Sequence, residues 1–282
     1  MTGPTVTLIG ATGKLGRIVG RRLLARGVTV IPVVRTPERL DPELRPHARR
    51  FDAERPETIA PALQDTRLLV SCLHGRYGVD LLRALPAGVE RIVLLGSTRI
   101  YTRFPDPNVA LLQATQAALA QSGIPGVMLH PTMIYGAAAE NNLQRIAAYI
   151  RRLGVIPLPD GGRTLLQPIH VEDVAACVEA ALFRSEAPGD PIVVAGPEPV
   201  SYRDLVLAVG AAIGKRPLIL PLPGRLLEAA AGLTTVLPFL PRIRRDEIRR
   251  LSEDKAFPIS EMKQRLGVQP MPLAEGLRRT FG

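Results

Sequence analysis

The 282-residue chain predicts an α/β fold, in which a doubly wound parallel sheet is followed by a smaller, mainly helical C-terminal lobe. Two observations lead to this prediction. Short apolar runs alternate with amphipathic segments through the first half of the chain, as strands joined by crossover helices do. The runs 68–72 and 91–95 are almost wholly apolar, which is typical of parallel strands covered on both faces.

The elements of the sheet region follow one another in alternation. Strands are expected at 5–9, 28–34, 49–51, 68–72, 91–95 and 126–130. Helices are expected at 14–26, 56–64, 78–85 and 109–122. Gly27 and Gly123 follow two of these helices directly, at the position where a left-handed glycine commonly ends a helix.

After Pro131 the alternation is lost. We expect, in order, a helix at 140–153, a Pro/Gly-rich stretch at 156–162, a strand and a helix within 165–183, and a strand at 191–195. Ser201 and Asp204 have the spacing of a capping box, which predicts a helix at 202–213. Further helices are expected near 223–235, 242–252, 260–266 and 272–280. The predicted sheet domain spans 1–135 and receives parts of 163–196, and the lobe spans 136–282.

Composition narrows the class of protein. An apolar fraction of 46% and a charged fraction of 22% are ordinary for a globular chain. The chain has no apolar run of about 18 residues, so no transmembrane segment is expected. The first residues lead straight into a strand without a signal peptide. Cys72 and Cys177 lie in apolar stretches, so we expect reduced thiols and a cytoplasmic location. No spacing of ligand residues indicates a metal site.

The formal net charge is +10, and the 36 basic residues include only four lysines and therefore 32 arginines. These arginines are scattered among few aromatic residues, so no nucleic-acid partner is expected. The segment 221–241 is strongly apolar and precedes a basic run at 242–245. It fits either a buried lobe helix or a peripheral membrane contact through 221–245. Both a monomer and a homodimer fit the sequence.

Three glycines mark the turn between the first strand and the first helix. Gly10 permits the tight turn, Gly13 lets a pyrophosphate approach the backbone, and Gly16 lets the helix pack closely on the sheet. The amide groups of a helix N-terminus bind phosphate. In this setting the turn predicts a bound dinucleotide, and the alternative is a glycine turn without a ligand.

Arg35 ends the second strand, where this kind of fold meets the adenosine ribose. An acidic residue there would bind the 2′-hydroxyl of NAD, whereas an arginine suits the 2′-phosphate of NADP. No acidic residue occurs within 28–37, so NADP is favoured, with NAD and a solvated arginine as the alternatives. Asp52 follows the third strand and suits either the adenine amino group or a helix cap.

The loop after the fifth strand carries Ser97, Thr98 and Tyr101. Hydroxyl groups at this edge of the sheet can polarise a substrate carbonyl, although ordinary turn hydrogen bonds also explain them. His74 ends the fourth strand and suits a general base less well than a structural role.

Four segments, Gly10–Gly16, Val93–Thr98, Ser122–Gly136 and Gln167–Val174, together resemble the extended and atypical short-chain dehydrogenase/reductase family. This family includes nucleotide-sugar epimerases and dehydratases. The segment 257–267 also resembles the closing helix of the family. The resemblance implies a Rossmann-type fold that binds NAD(P), a small-molecule substrate such as a nucleotide-sugar, and hydride transfer.

The resemblance also implies which residues bind the cofactor. The pyrophosphate and adenosine would lie against the glycine turn, at Gly10, Thr12, Gly13, Lys14, Leu15 and Gly16. Arg35 would take the NADP-selective position, with Asp52 and Ala53 beside the adenine. Cys72 and Leu73 would pass the second ribose, and Pro131 and Ile134 the nicotinamide.

The chain departs from the family at the catalytic pair. The family uses Tyr-x-x-x-Lys on the helix after the Ser97 loop, but residues 108–116 contain neither tyrosine nor lysine. The nearest phenol is Tyr101, and the nearest cation is an arginine that does not replace lysine. His130 also stands where the family more often has arginine.

Two hypotheses follow from this pattern. The first is an NADP-dependent oxidoreductase or epimerase in which Ser97, Thr98 and Tyr101 are catalytic. The second is a non-catalytic NAD(P)(H)-binding scaffold or redox sensor.

Overall fold

The structure is a computed structural model that describes residues 3–136, 142–184, 189–226 and 253–282. Thirteen strands lie in these ranges. They are β1 (Thr5–Ile9), β2 (Thr29–Val34), β3 (Arg49–Arg50), β4 (Leu68–Ser71), β5 (Arg91–Leu95), β6 (Gly126–Pro131), β7 (Ile134–Tyr135), β8 (Val155–Pro159), β9 (Leu165–Leu166), β10 (Ile169–His170), β11 (Ile192–Val194), β12 (Val200–Ser201) and β13 (Leu218–Leu222).

Eight α-helices can be bounded in the same ranges. They are α1 (Lys14–Ala25), α2 (Ile59–Leu63), α3 (Gly78–Arg83), α4 (Pro107–Gln121), α5 (Asn142–Leu153), α6 (Val171–Phe183), α7 (Tyr202–Ala212) and α8 (Leu273–Phe281). A π-helical turn spans Met262–Leu266. No helix in the described ranges is both long and apolar enough to cross a bilayer.

Seven strands form one parallel sheet in the order β11-β6-β5-β4-β1-β2-β3. This order confirms the predicted doubly wound fold. The chain builds outward from β1 in one direction through β2 and β3, and then in the other direction from β4. The switch between β1 and β4 opens a crevice at the carboxyl ends of the strands, where ligands bind in such sheets.

Side chains of the sheet alternate between two apolar clusters, one on each face. On β5, Val93 and Leu95 pack in one cluster, whereas Ile92 and Leu94 pack in the other. Helices α1 and α6 lie together on the first face, where Glu179 binds both Arg22 and Arg26 at 2.8 and 2.7 Å. The period of two therefore explains why these strands are apolar throughout.

The chain divides into two compact units. The first contains Met1–Ile134, Ile169–Val194 and Pro258–Pro270, and the second contains Tyr135–Pro168, Ala195–Phe257 and Met271–Gly282. The segment 258–270 was assigned to the C-terminal lobe from the sequence, but it clusters with the first unit. The reason is burial, since Met262 and Leu266 are 0% and 2% exposed within the first apolar cluster.

The second unit holds more strand than the sequence predicted. The stretch 156–162, expected as a Pro/Gly-rich connection, begins as β8 and pairs in parallel with β13. Prolines are tolerated because each strand of a two-stranded sheet keeps one open edge, where no N–H is needed. The described residues do not include the helix predicted at 242–252. They also leave out everything beyond residue 226 in the predicted 223–235 helix and in the 221–245 segment considered for membrane contact.

Candidate functional site

The predicted site residues lie at the carboxyl edge of the seven-stranded sheet, because each follows or ends one of its strands. The glycine turn follows β1, Arg35 follows β2, and Asp52 lies just beyond β3. The loops after β4 and β5 and the end of β6 supply the others. The whole set belongs to the first unit.

The glycine turn is tight enough to require glycine at two positions. Gly10 has a φ of +82°, in the left-handed region that favours glycine. Its carbonyl oxygen accepts a hydrogen bond from the Gly13 amide at 2.9 Å. A Cβ atom on Gly16 would lie 2.1 Å from that same oxygen, so helix α1 can approach the turn only with glycine there.

The N-terminus of α1 is open to an anion. Gly13 is its N-cap, no side chain caps the helix, and its first turn contains no acidic residue. By contrast, α4, α6 and α7 are capped by the side chains of Asp106, His170 and Ser201. A Cβ atom on Gly13 would meet only the Gly10 oxygen, at 3.2 Å, so the space in front of the helix is open. These features fit the pyrophosphate of a dinucleotide, with Thr12, Lys14 and Leu15 at the same turn.

The loop after β2, where the sequence predicts the adenosine ribose, is basic. Arg35 is exposed directly after β2, and among the described residues neither its side chain nor that of Arg39 has an ion-pair partner. The neighbouring Arg17 and Arg21 both bind Asp41, at 2.6 and 3.0 Å. Two guanidinium groups are thus left to face solvent beside the end of β2.

Asp52 takes part in a local turn. Its Oδ1 accepts a hydrogen bond from the Glu54 amide at 3.1 Å, and its own amide donates to Thr58 Oγ1 at 3.0 Å. This is an Asx turn and not the helix cap that the sequence left open, because Arg55 is the N-cap of the turn that follows. The adenine contact of Asp52 and Ala53 stays a prediction. Ala53 packs at the margin of the second apolar cluster.

The end of β4 borders the glycine turn. The Cys72 amide donates to the Ile9 carbonyl at 3.0 Å, and a Cβ atom on Gly10 would lie 3.4 Å from Leu73 Cδ2. Burial raises the pKa of the Cys72 thiol to about 12, so this cysteine is not a thiolate at neutral pH. His74 Nδ1 accepts the Arg76 amide at 3.2 Å, which is the structural role favoured from the sequence.

The loop Ser97–Tyr101 follows β5 and is hydrogen-bonded to the end of β6. Ser97 Oγ accepts the Arg99 amide at 3.2 Å, and the Thr98 hydroxyl donates to the Pro131 carbonyl at 3.3 Å. Tyr101 is 50% exposed. Partial burial, and secondarily the negative charge of Glu261, raise the pKa of its phenol, which is therefore protonated at neutral pH.

His130 anchors this loop from β6 and was noted from the sequence only as a departure from the family. Its Nδ1 accepts the Ser97 amide at 3.2 Å, and its Nε2 lies 3.1 Å from Gln116 Oε1. The carbonyl oxygen of Gln116 can only accept, so Nε2 carries the proton. Burial lowers the pKa of His130 to about 4, which keeps the ring neutral.

Two further contacts fix the histidine ring. The Tyr101 ring meets it edge-on, with centroids 6.0 Å apart and an interplanar angle of 71°. A Cβ atom on Gly96 would lie 2.3 Å from its Nδ1. Gln116 stands on α4, the helix on which the resembled family carries its tyrosine and lysine. Sequence reasoning missed Gln116, because nothing in the pattern marks it as a partner of His130.

A family model described as NAD(P)H-binding matches residues 10–184, which is more than half of the chain. The match begins at the first glycine of the turn and ends just after α6. It therefore covers the residues assembled at the carboxyl edge of the sheet.

Three relatives illustrate the similarity. The mouse NADH dehydrogenase [ubiquinone] 1 alpha subcomplex subunit 9 is 24% identical over 97% of this chain and 78% of its own length. The NADPH complex of the Escherichia coli quinone oxidoreductase QOR2 has a TM-score of 0.77 at 20% identity, covering 98% of this chain and 100% of that one. The Citrobacter triphenylmethane reductase, complexed with NADP(H), has a TM-score of 0.77 at 19% identity, covering 98% and 99%.

Proposed function

Because this chain belongs to the NAD(P)H-binding family and has the fold of the extended short-chain dehydrogenases/reductases, we propose that it is an NADPH-dependent reductase of small, electron-poor acceptors. Two observations together carry the proposal. The N-terminus of α1 is an open anion site, and the loop Ser97–Tyr101, which we call the reaction loop, carries a protonated phenol. The proposed enzyme is a cytoplasmic monomer or homodimer.

Two features support NADPH over NADH. Arg35 directly follows β2, where the proposal puts the 2′-phosphate of NADP, and Arg39 lies four residues further along. Their side chains make no ion pair within the described part of the chain. Arg17 and Arg21, in contrast, share ion pairs with the one carboxylate of Asp41. An arginine fork suits a phosphate dianion, and no acid at 28–37 competes for the ribose.

A bound nicotinamide would supply a hydride, and this chain's residues would hold the acceptor and provide a proton. Tyr101 can donate that proton, because its phenol is protonated at neutral pH and half exposed at the end of this loop. It is poorly suited to remove a proton from an alcohol, since α4 has no lysine to lower its pKa. Reduction of a quinone-like acceptor needs only proton donation, so it is favoured over the nucleotide-sugar chemistry that the sequence left open.

Cofactor binding is tested by titrating NADPH and NADH into the wild-type protein, Arg35→Ser and the control Arg83→Ser. Arg83 is an exposed arginine of α3, away from the glycine turn in sequence and paired weakly with Asp80 at 3.9 Å. We expect wild type and control to prefer NADPH by about tenfold or more, and Arg35→Ser to lose that preference alone. A preference of the wild type for NADH would refute the phosphate role of Arg35.

Turnover is tested by following NADPH oxidation with a series of benzoquinones, with UDP-glucose as the nucleotide-sugar arm. Tyr101→Phe should lower kcat by about a hundredfold if the phenol donates the proton, while Tyr77→Phe serves as the control. Tyr77 is also a loop tyrosine, and its hydroxyl contacts the Arg76 guanidinium. An unchanged kcat in Tyr101→Phe would remove that residue from the mechanism.

A non-catalytic NAD(P)H-binding subunit is the second candidate. It is supported by the missing tyrosine and lysine of α4 and by the similarity to the mouse NADH dehydrogenase subunit. This function predicts tight cofactor binding, no turnover with any acceptor, and no effect of Tyr101→Phe. The two assays above therefore separate the candidates.

A further inference from the structure

The strand pair β8 and β13 has two apolar faces. In its register Val155 lies beside Leu218, and Pro157 lies beside Leu220. Because side chains alternate along a strand, the residues between them, Ile156 and Ile219, point to the opposite face and are buried. The outer face is open: Leu218 is 64% exposed and Leu220 is 44% exposed.

Parallel strands with apolar residues on both faces are normally covered on both. Leu153, the last residue of α5, is also exposed and precedes β8 by two residues. We define the β8–β13 face as Leu153, Val155, Pro157, Leu218 and Leu220. A contiguous exposed apolar patch of this kind marks a surface that meets a partner or a membrane.

Basic residues border the β8–β13 face. Arg151 and Arg152 come directly before Leu153, and Lys215 and Arg216 come directly before Pro217, all four exposed. Because β8 and β13 are parallel and in register, both pairs lie at the same end of the face. Beyond the strands' other ends come one exposed arginine and one exposed acid, Arg225 and Asp160. The surroundings of the face are therefore strongly positive.

A groove adjoins the basic end. It has a volume of about 590 Å³ and is lined by Leu207, Ala211, Gly214, Lys215, Arg216 and Pro217. It thus combines apolar side chains of α7 with two cations. Grooves and pockets with this combination accommodate anionic lipid head groups together with the start of an acyl chain.

We propose that the β8–β13 face docks on an anionic lipid surface, with its leucines in the headgroup boundary and Arg151, Arg152, Lys215 and Arg216 on lipid phosphates. Interfacial binding draws on this combination of apolar area and positive charge. Lipid phosphates complement this positive border better than a second copy does, because the described residues at the two ends of the face offer a partner copy one acid, Asp160, against five cations. The proposal does not depend on the proposed function.

The test is flotation of the full chain with neutral phosphatidylcholine vesicles and with vesicles that contain about 30% phosphatidylglycerol. Wild type should bind only the anionic vesicles and should be released at high salt. Leu218→Ser/Leu220→Ser and Lys215→Gln/Arg216→Gln should each weaken binding by about tenfold or more. The matched controls are Leu111→Ser, which alters an exposed leucine of α4, and Arg67→Gln/Arg83→Gln, which removes two exposed charges.

Several results would overturn the proposal. If wild type floats with neither kind of vesicle, or equally with both, the protein has no surface that binds anionic lipid selectively. Double variants that float like wild type would place the contact elsewhere in the chain. Loss of a wild-type dimer in Leu218→Ser/Leu220→Ser, measured by light scattering, would assign the face to a second copy. Far-UV circular dichroism and a urea-unfolding midpoint equal to those of wild type show that each variant is folded, including the second unit that carries the substitutions.

Discussion

At the scale of single residues, His130 connects three elements through one neutral ring. It accepts from the Ser97 amide and donates to Gln116, and so ties the loop after β5 to both β6 and α4. Protonation of the ring removes the hydrogen bond from the Ser97 amide, because a protonated Nδ1 cannot accept, whereas Nε2 can still donate to Gln116. The reaction loop is therefore sensitive to the charge of a residue that is itself 0% exposed.

This arrangement predicts how stability depends on pH. The folded pKa of His130 is lowered to about 4 from an ordinary value of 6.5, so between these values the unfolded chain binds a proton that the folded chain does not. Stability from this residue is complete above pH 6.5 and is lost as the pH falls toward 4. Between pH 7.5 and 5.0 we expect a loss of about 2 kcal/mol in wild type that is absent in His130→Gln.

Urea unfolding of both proteins at the two pH values measures this difference. His47→Gln is the control, because His47 is an exposed histidine. Equal pH dependence in wild type and His130→Gln would show that the ring is not held neutral.

Residue types alone foretold part of this site. Gly10 and Gly16 were predictable because their backbone demands glycine, and Arg35 because a strand end fixes where it stands. The hydrogen bond between Gln116 and His130 was not predictable, because it joins two elements whose approach depends on packing across the sheet. For Asp52 the sequence fitted more than one role, and the structure shows a hydrogen bond within its own turn, to the Glu54 amide.

At the scale of elements, the strands of the large sheet followed from their apolar runs, since a buried parallel strand has no polar face to confuse the pattern. The pair β8 and β13 escaped prediction because Pro157 and Pro159 signal a loop, and only the pairing partner reveals the strand. Helix α7 was predicted from its first residues, where Ser201 Oγ accepts the Asp204 amide at 3.0 Å.

The cap of α7 gives a prediction at this scale. Ser201→Ala removes the hydroxyl that accepts the Asp204 amide and donates to its carboxylate at 2.6 Å. We expect a loss of about 1 kcal/mol in the free energy of unfolding, measured with urea. Ser201→Thr keeps the hydroxyl and should recover most of this loss. A Thr variant as unstable as the Ala variant would show that the cap is not the cause.

At the scale of the whole molecule, the two units draw on discontinuous pieces of chain. The sequence could not predict that 258–270 packs in the first unit, because the pattern of an amphipathic turn does not show against which hydrophobic core it packs. Met262 and Leu266 supply the answer only when the apolar cluster around α6 is known.

This division predicts how the cofactor changes thermal unfolding. All residues assigned to NADPH lie in the first unit, so NADPH at about 100 times its Kd should stabilise that unit by about 2.7 kcal/mol. The expected rise in Tm is about 5–10 °C, measured by calorimetry. Arg35→Ser should keep the rise with NADH and, at the same NADPH concentration, lose about half of the rise with NADPH if its Kd is about tenfold weaker. No rise with either nucleotide would contradict the cofactor site.

The overlap between Gly96 and His130 also limits the routes by which this chain can change over generations. A methyl group at Gly96 would lie 2.3 Å from His130 Nδ1 and 2.9 Å from Met128 Cε. A larger residue at position 96 therefore requires a smaller side chain at position 130 and a shift of the flexible Met128 side chain. Substitution of Gly96 before His130 is sterically disfavoured, so the two positions are expected to change together in evolution. If His130 is replaced first, position 96 can accept a larger residue, and that larger residue would then prevent a return to histidine at position 130.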